Sequence, residues 1–268
     1  MRLLDGFELR VDDDPVPVLP SSQRLLAYLA MHQGPVTRAV LAAALWPRAT
    51  ERRAAACLRS TVWRLVKPPH ALVDVRQGML EISAAPEVDV IAVRRFAAEL
   101  AVPTTGWPTM AVPFTALTAE LLPGWTDHWI DAERNWFRQL CLRALEMLSE
   151  RFRIGGDHFH AHETAVAAVR SDPLRESTHR RLIELHLADA NPAAALRQYV
   201  DYRSRLRTEL GLTPSHEIRR LVEPILTDRV ETAPPTMPGS RHVRARHAPE
   251  KTMQKPTTIW HGPTEVTR

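Results

Sequence analysis

From Asp127 to Phe152 the chain contains neither proline nor glycine, and Phe137, Cys141, Ala144, Leu148 and Phe152 recur at steps of three and four. A stretch of this kind hides its apolar side chains in one way, as an α-helix with a single buried stripe. Gly155-Gly156 stops it. Breakers then follow at helix-length intervals: Ser171-Asp172-Pro173, the turn from Ala188 to Asn191, Gly211 and Pro214. They predict further helices over 157–170, 174–187 and 192–211, the last with Pro192 in its first turn, where a missing N–H costs nothing. A fifth follows Pro214 and carries Ile218, Leu221, Val222 and Ile225.

This array repeats on itself. A shift of 34 residues, the period of tetratricopeptide-type hairpins, brings Leu148 onto Leu182, Gly156 onto Ala190 and Ala161 onto Ala195. A single hairpin cannot bury its apolar face, so the hairpins are expected to stack and leave a concave protein-binding surface. This half of the chain reads as a docking platform rather than a catalytic body.

The remaining length allows a second domain with its own core. Residues 1–30 lack the basic start and long apolar run of a signal peptide, and no apolar stretch approaches the ~18 residues of a membrane span. Cys57 and Cys141 both fall inside helical patterns, as buried thiols do, so a disulfide framework is not expected. The expected compartment is the cytoplasm, with the chain associated with the nucleoid. The net charge of +4 is modest, and 32 of the 35 basic side chains are arginine, a bias that a GC-rich genome accounts for. Where the charge sits is more informative.

Residues 2–19 alternate in short apolar runs broken by Asp5-Gly6 and Asp12-Asp13-Asp14-Pro15, which fits three short antiparallel strands. Ser21-Ser22 then cap a helix over 23–31, Thr37 caps a second over 38–46, and Thr50 caps a third over 51–67. A hairpin follows, residues 71–75 and 79–82 around Gln77-Gly78, and then a helix from Val90 to Leu100. Strands, three helices and a terminal hairpin are the order of a winged helix-turn-helix, in which the third helix reads DNA. Between residues 20 and 80 there are nine basic and two acidic residues, and most of the surplus lies on the third helix. Leu58, Val62 and Leu65 face its core side. Arginine donates two hydrogen bonds to the major-groove edge of guanine, and basic groups near helix ends take phosphates and fix register. Arg59, Ser60 and Arg64, with Trp63 against a thymine methyl, are therefore the candidates for base edges. Ser22, Thr50, Arg52, Arg53 and Lys67 are candidates for phosphates, and Arg76, beside the hairpin turn, for the minor groove.

The run Leu121-Leu122-Pro123-Gly124-Trp125, followed by Trp129-Ile130 and Glu133-Arg134, resembles the start of the bacterial transcriptional activator domain (BTAD). Ser171-Asp172-Pro173-Leu174-Arg175-Glu176, Ala195-Leu196-Arg197-Gln198-Tyr199 and Glu209-Leu210-Gly211-Leu212-Thr213-Pro214 extend the likeness to about residue 226. The chain thus resembles the Streptomyces antibiotic regulatory proteins (SARPs), in which this domain follows an OmpR-type winged helix. The resemblance implies a mainly α fold with a small β component. Taken with the residues themselves, it divides the chain into a DNA-binding domain over 1–100, a Pro-, Thr- and Gly-containing linker or crossing segment over 101–120, a tetratricopeptide-like activator domain over 121–230 and, from its lack of any apolar period, a disordered basic tail over 231–268. It also implies an activator of secondary-metabolite (antibiotic) genes that binds direct repeats in double-stranded promoter DNA and recruits RNA polymerase holoenzyme, with a homodimer as a further partner arrangement and no membrane. Val62-Trp63-Arg64-Leu65-Val66-Lys67 occupies the slot where the family usually has Val-Ser-Arg-Leu-Arg-Arg. The departures at Trp63 and Val66 support an alternative, an interaction adaptor whose winged helix no longer reads DNA.

Nothing points to catalysis or a cofactor. His158, His160 and His162 beside Asp157 and Glu163 lack a His-Glu-x-x-His frame or a second cluster, so no metal is expected. There is no Gly-x-x-x-x-Gly-Lys-Ser/Thr loop for a nucleoside triphosphate and no Gly-x-Ser-x-Gly elbow. A nuclease would need paired carboxylates near the basic helix, and the sequence offers none.

Overall fold

The computed structural model describes residues 1–32, 34–66, 71–83, 87–102 and 112–231. The chain is mainly α with a small β component, a winged helix-turn-helix followed by an all-α, tetratricopeptide-like domain. Lys67, residues 103–111 of the linker and the tail beyond 231 lie outside the described residues.

The first segment departs from the expected three strands. Only β1 (Arg10–Val11) and β2 (Asp14–Pro15) form a ladder, and the rest of the pairing is two single bridges, Arg2 with Glu8 and Leu4 with Leu121. The reason is local. Asp5, Gly6, Asp12 and Asp13 all have positive φ, so turns consume the residues that longer strands would need. Leu3 and Leu4 reach instead across the molecule: the Leu122 N–H donates to Leu3 O at 2.9 Å, and both leucines are buried.

Helix α1 (Pro20–His32) begins earlier than expected, with Pro20 in its first turn and the N–H groups of Ser22 and Gln23 bonded to Leu19 O. Ser22 is therefore not a cap. It lies inside the first turn with 2% of its surface exposed, which removes its side chain from any phosphate. A short strand β3 (Val36–Thr37) leads into α2 (Arg38–Leu45), whose Val40 N–H is capped by the Thr37 hydroxyl as expected. Helix α3 spans Glu51–Leu65. Strands β4 (Val73–Arg76) and β5 (Met79–Ile82) form the wing, turning through Gln77 and Gly78 at φ 51° and 82°, the left-handed pair that a tight hairpin requires. The sheet order is β3-β5-β4, all antiparallel. Leu25, Leu26, Leu29, Leu41, Leu45, Leu58, Val62, Leu65, Val73 and Leu80 close the core between this sheet and the three helices.

Helix α4 (Asp89–Leu100) lies between the halves. The Asp89 carboxylate accepts from Leu3 N–H at 2.9 Å, Leu4 N–H at 2.9 Å and Val90 N–H at 2.7 Å, anchoring the amino-terminal segment to α4. A 3-10 turn at Phe114–Leu117 precedes α5 (His128–Ile154), α6 (His158–Ser171), α7 (Glu176–Ala188), α8 (Pro192–Leu210) and α9 (His216–Glu231). Each of these five helices packs on the next. Leu148 and Leu182 are both buried, as are Ala161 and Ala195, in the register of the sequence repeat. One core joins Leu3 and Leu4 to Val90 and Phe96 of α4 and to Ile130, Phe137 and Leu145 of α5. Among the described residues no helix is long and apolar enough to cross a membrane.

Candidate nucleic-acid interface

The periodicity of α3 decides which of its side chains are available. Ala54, Leu58, Thr61, Val62 and Leu65 are buried against α1 and α2. The opposite face therefore carries Arg52, Arg53, Ala56, Arg59, Ser60, Trp63 and Arg64, all of them exposed. Arg52, Arg53 and Arg59 make no hydrogen bond or ion pair among the described residues. Such side chains keep their full hydrogen-bonding capacity for a ligand. Trp63 is 63% exposed, at the middle of this face.

The expected residues are thus brought together, but not equivalently. Arg59, Ser60 and Trp63 lie on the outermost surface of α3, whereas Arg64 sits on the flank toward α1, donating to Ser60 Oγ at 3.2 Å and to Ser21 Oγ at 3.3 Å. Thr50 is the N-cap of α3, yet its side chain makes no capping bond, so the first N–H groups of the helix are not taken by it. Arg76 lies at the wing turn with its side chain 76% exposed, 3.4 Å from Glu81 and 3.7 Å from Asp74. Those two carboxylates compete with any phosphate for it.

Two concavities flank α3. The first is an apolar groove of about 1080 Å³ between α2 and α3, walled by Ala39, Ala43, Trp46, Ala55 and Trp63 and closed by Val75 of the wing. It exists because α2 presents alanines on that side. The second, about 660 Å³, lies between the α2–α3 loop and the start of α5. It is lined by Arg24, Arg48 and Arg53 from the winged helix and by Thr126, Asp127 and His128 from the helical domain. The Arg24 guanidinium bridges these halves, donating to Leu45 O at 2.5 Å and pairing with the Asp127 carboxylate. In the sequence Arg48 is one of the nine basic residues between 20 and 80, with no local signal that gives it a place. His128 went unnoticed, since nothing local links it to α3.

The histidines of α6 have partners. His158 Nδ1 lies 3.0 Å and His162 Nε2 2.6 Å from the two oxygens of Asp189, and His160 Nδ1 lies 2.7 Å from Asp157. Hydrogen bonding to these imidazoles holds both carboxyls below the usual carboxylate range; for Asp157 the largest contribution is the His160 backbone N–H. Among the described residues no group of three or more His, Cys, Asp or Glu is placed to hold a metal ion. Burial pushes the Cys141 thiol up to about 12, as befits an inert core cysteine.

Comparison with known proteins finds a family match and a likeness to solved structures. Residues 116–226 match the family described as the bacterial transcriptional activator domain. Over 85% of its length the chain follows the fold of Mycobacterium tuberculosis EmbR, solved in complex with a low affinity phosphopeptide, with a TM-score of 0.66 and 22% sequence identity. At that identity the likeness is one of fold, and the chain spans 64% of the EmbR chain. No curated protein matches.

Proposed function

We propose, from the premise that residues 116–226 form a bacterial transcriptional activator domain, that the chain is a DNA-binding transcriptional regulator of the SARP type. The observation that carries the reading is the outer face of α3: Arg52, Arg53 and Arg59 without partners among the described residues, around Ser60 and Trp63, on the third helix of a winged helix-turn-helix. A helix presented this way fits the major groove of B-form DNA. Arg59, Ser60 and Trp63 read base edges. Arg64, held beside Ser21, joins them at the flank of the site. Thr50, Arg52, Arg53 and Lys67 set register on phosphates, and Arg76 meets the minor groove from the wing. The helical domain holds RNA polymerase holoenzyme or a second copy of the chain on a promoter with direct repeats. The regulated genes belong to secondary metabolism and the effect is activation. The site of action is the nucleoid, in the cytoplasm.

The test is binding to duplexes from upstream of the neighbouring genes, by fluorescence anisotropy, with an Arg59→Ala/Arg64→Ala variant alongside. A preference for one duplex that the variant loses supports the reading. Equal binding of every duplex by both proteins, or no binding at all, would sink it.

One observation favours the second reading, an adaptor that docks protein instead of DNA. Trp63 (63% exposed), Val66 (40%) and Val75 (41%) border the α2–α3 groove, and solvent-facing apolar groups of this size are typical of protein contacts. Loss of salt-dependent DNA affinity in the wild type would select it.

A further inference from the structure

We propose that the cleft between the α2–α3 loop and the start of α5 seats a backbone phosphate of the bound duplex, so that the activator domain itself helps to hold DNA. The inference rests on the DNA-binding reading above. The cleft is lined by three guanidiniums, Arg24, Arg48 and Arg53, and by the His128 imidazole. Its one acidic lining residue, Asp127, is already taken by Arg24. Arg48 and Arg53 are exposed and make no bond among the described residues, and Arg24 Nε is buried without an acceptor. Arg48 and Arg53 share the cavity without a carboxylate of their own, and an anion seated between them removes the cost of their mutual repulsion. Phosphate suits them better than a carboxylate would, because it offers more acceptor oxygens and so can take more than one guanidinium at a time.

The position selects a strand of DNA over a free ion. Arg53 stands on α3 itself, on the face shared with Ser60 and Arg64, so the cleft continues the proposed recognition surface. At about 660 Å³ it is far larger than a free phosphate fills. Two helix amino termini add a supporting field: neither the Thr50 side chain at α3 nor that of Asp127 at α5 makes a capping bond. The winged helix thus supplies Arg48 and Arg53, and the activator domain supplies His128.

The experiment uses the full chain with Arg48→Gln/His128→Gln, and Arg143→Gln as control. Arg143 is an exposed arginine on α5, about 22 Å along the helix from His128. Anisotropy titrations across a salt series give the slope of log affinity against log salt for each protein. The double variant should weaken binding uniformly on all duplexes and lower the slope by about 1, while the control leaves the slope unchanged. If wild type binds and the double variant keeps its slope, the seat is wrong and the DNA-binding reading stands. If wild type binds no duplex, both fall. Melting temperature in potassium phosphate against chloride at equal ionic strength supplies the last arm. Protection of wild type but not of the double variant, with an unchanged DNA slope, makes the cleft a small-anion site and overturns the proposal.

Discussion

Gly156 and Ala190 hold the same left-handed backbone, at φ 77° and 53°, in equivalent turns of successive helical hairpins. The hydrogen bonds around them coincide as well. Asp157 N–H donates to Phe152 O at 2.9 Å and Asn191 N–H to His186 O at 2.8 Å. The side chains of Asp157 and Asn191 then cap α6 and α8, each accepting at 3.1 Å from the N–H three residues on. The repeat is therefore one of backbone geometry, and the small side chains at these two positions have a conformational cause.

Swapping the two residues tests this. A Cβ built on Gly156 meets nothing within 4 Å, so Gly156→Ala carries only the left-handed penalty and should cost about 1–2 kcal/mol. Ala190→Gly relieves the same penalty, less the entropy of a glycine in the unfolded chain, and should raise the melting temperature slightly. Thermal melts of both variants check the signs. Shifts in the same direction would show that the two turns are not equivalent.

Asp89 ties the amino-terminal segment to α4 by accepting from three backbone N–H groups. Asp89→Ala leaves the Leu3 and Leu4 donors unpaired in a partly buried setting and should destabilise the chain by roughly 2–3 kcal/mol. Asp89→Asn keeps one acceptor oxygen and should lose less. Urea titration of the two variants ranks them, and an alanine variant as stable as wild type would show the anchor to be dispensable.

His179 is buried in the helical domain, with Nε2 3.0 Å from Pro173 O, Nδ1 2.7 Å from the Gln198 amide and its ring stacked on Tyr202. Donation to a carbonyl and acceptance from an amide N–H suit the neutral ring. Burial, the largest cause, lowers its pKa below the ordinary 6.5. The unfolded chain therefore takes up a proton first as pH falls. This stability contribution is complete above about pH 6.5 and is lost as pH drops toward the folded value. The melting temperature of wild type should fall between pH 7.5 and 5.5, and that of His179→Gln should fall less. Parallel curves would remove His179 as the cause.

Trp63 stands where the resembled family usually has serine, at the centre of the exposed face of α3. Because its side chain is mostly solvent-facing, Trp63→Ser should lower stability by no more than about 1 kcal/mol, read from thermal melts. Under the proposed DNA-binding function, its effect should appear as a change of preferred sequence with the salt slope retained, because the proposed thymine contact would carry no charge. A changed slope with unchanged preference would place Trp63 outside the base contacts.

Local signals made most of the helical half legible. Gly155-Gly156, Pro173, Pro192 and Gly211 each act within a few residues, and the five helices fall between them as expected. The wing followed from Gln77-Gly78 for the same reason. What stayed hidden depends on distant partners. Leu4 pairs with Leu121, and Arg24 with Asp127, over separations that leave no periodicity to detect. Ser22 falls inside the helix because Pro20 starts α1 three residues before the expected first residue, as a first-turn proline can. On α3 the residue types marked the face, but only packing separates Arg59 from Arg64, which Ser21 draws toward α1.

The bridge between Leu4 and Leu121, and the core that surrounds it, bear on how such a chain can evolve. A recombination that joined residues 1–100 to an unrelated partner would leave Leu3 and Leu4 facing water. One that supplied a new reader to residues 121–226 would leave Ile130 and Phe137 without their neighbours. The two halves are thus a matched pair in packing. A substitution that reshapes this core in one half calls for a compensating change in the other, whereas surfaces such as the outer face of α3, which take no part in it, can change without that constraint.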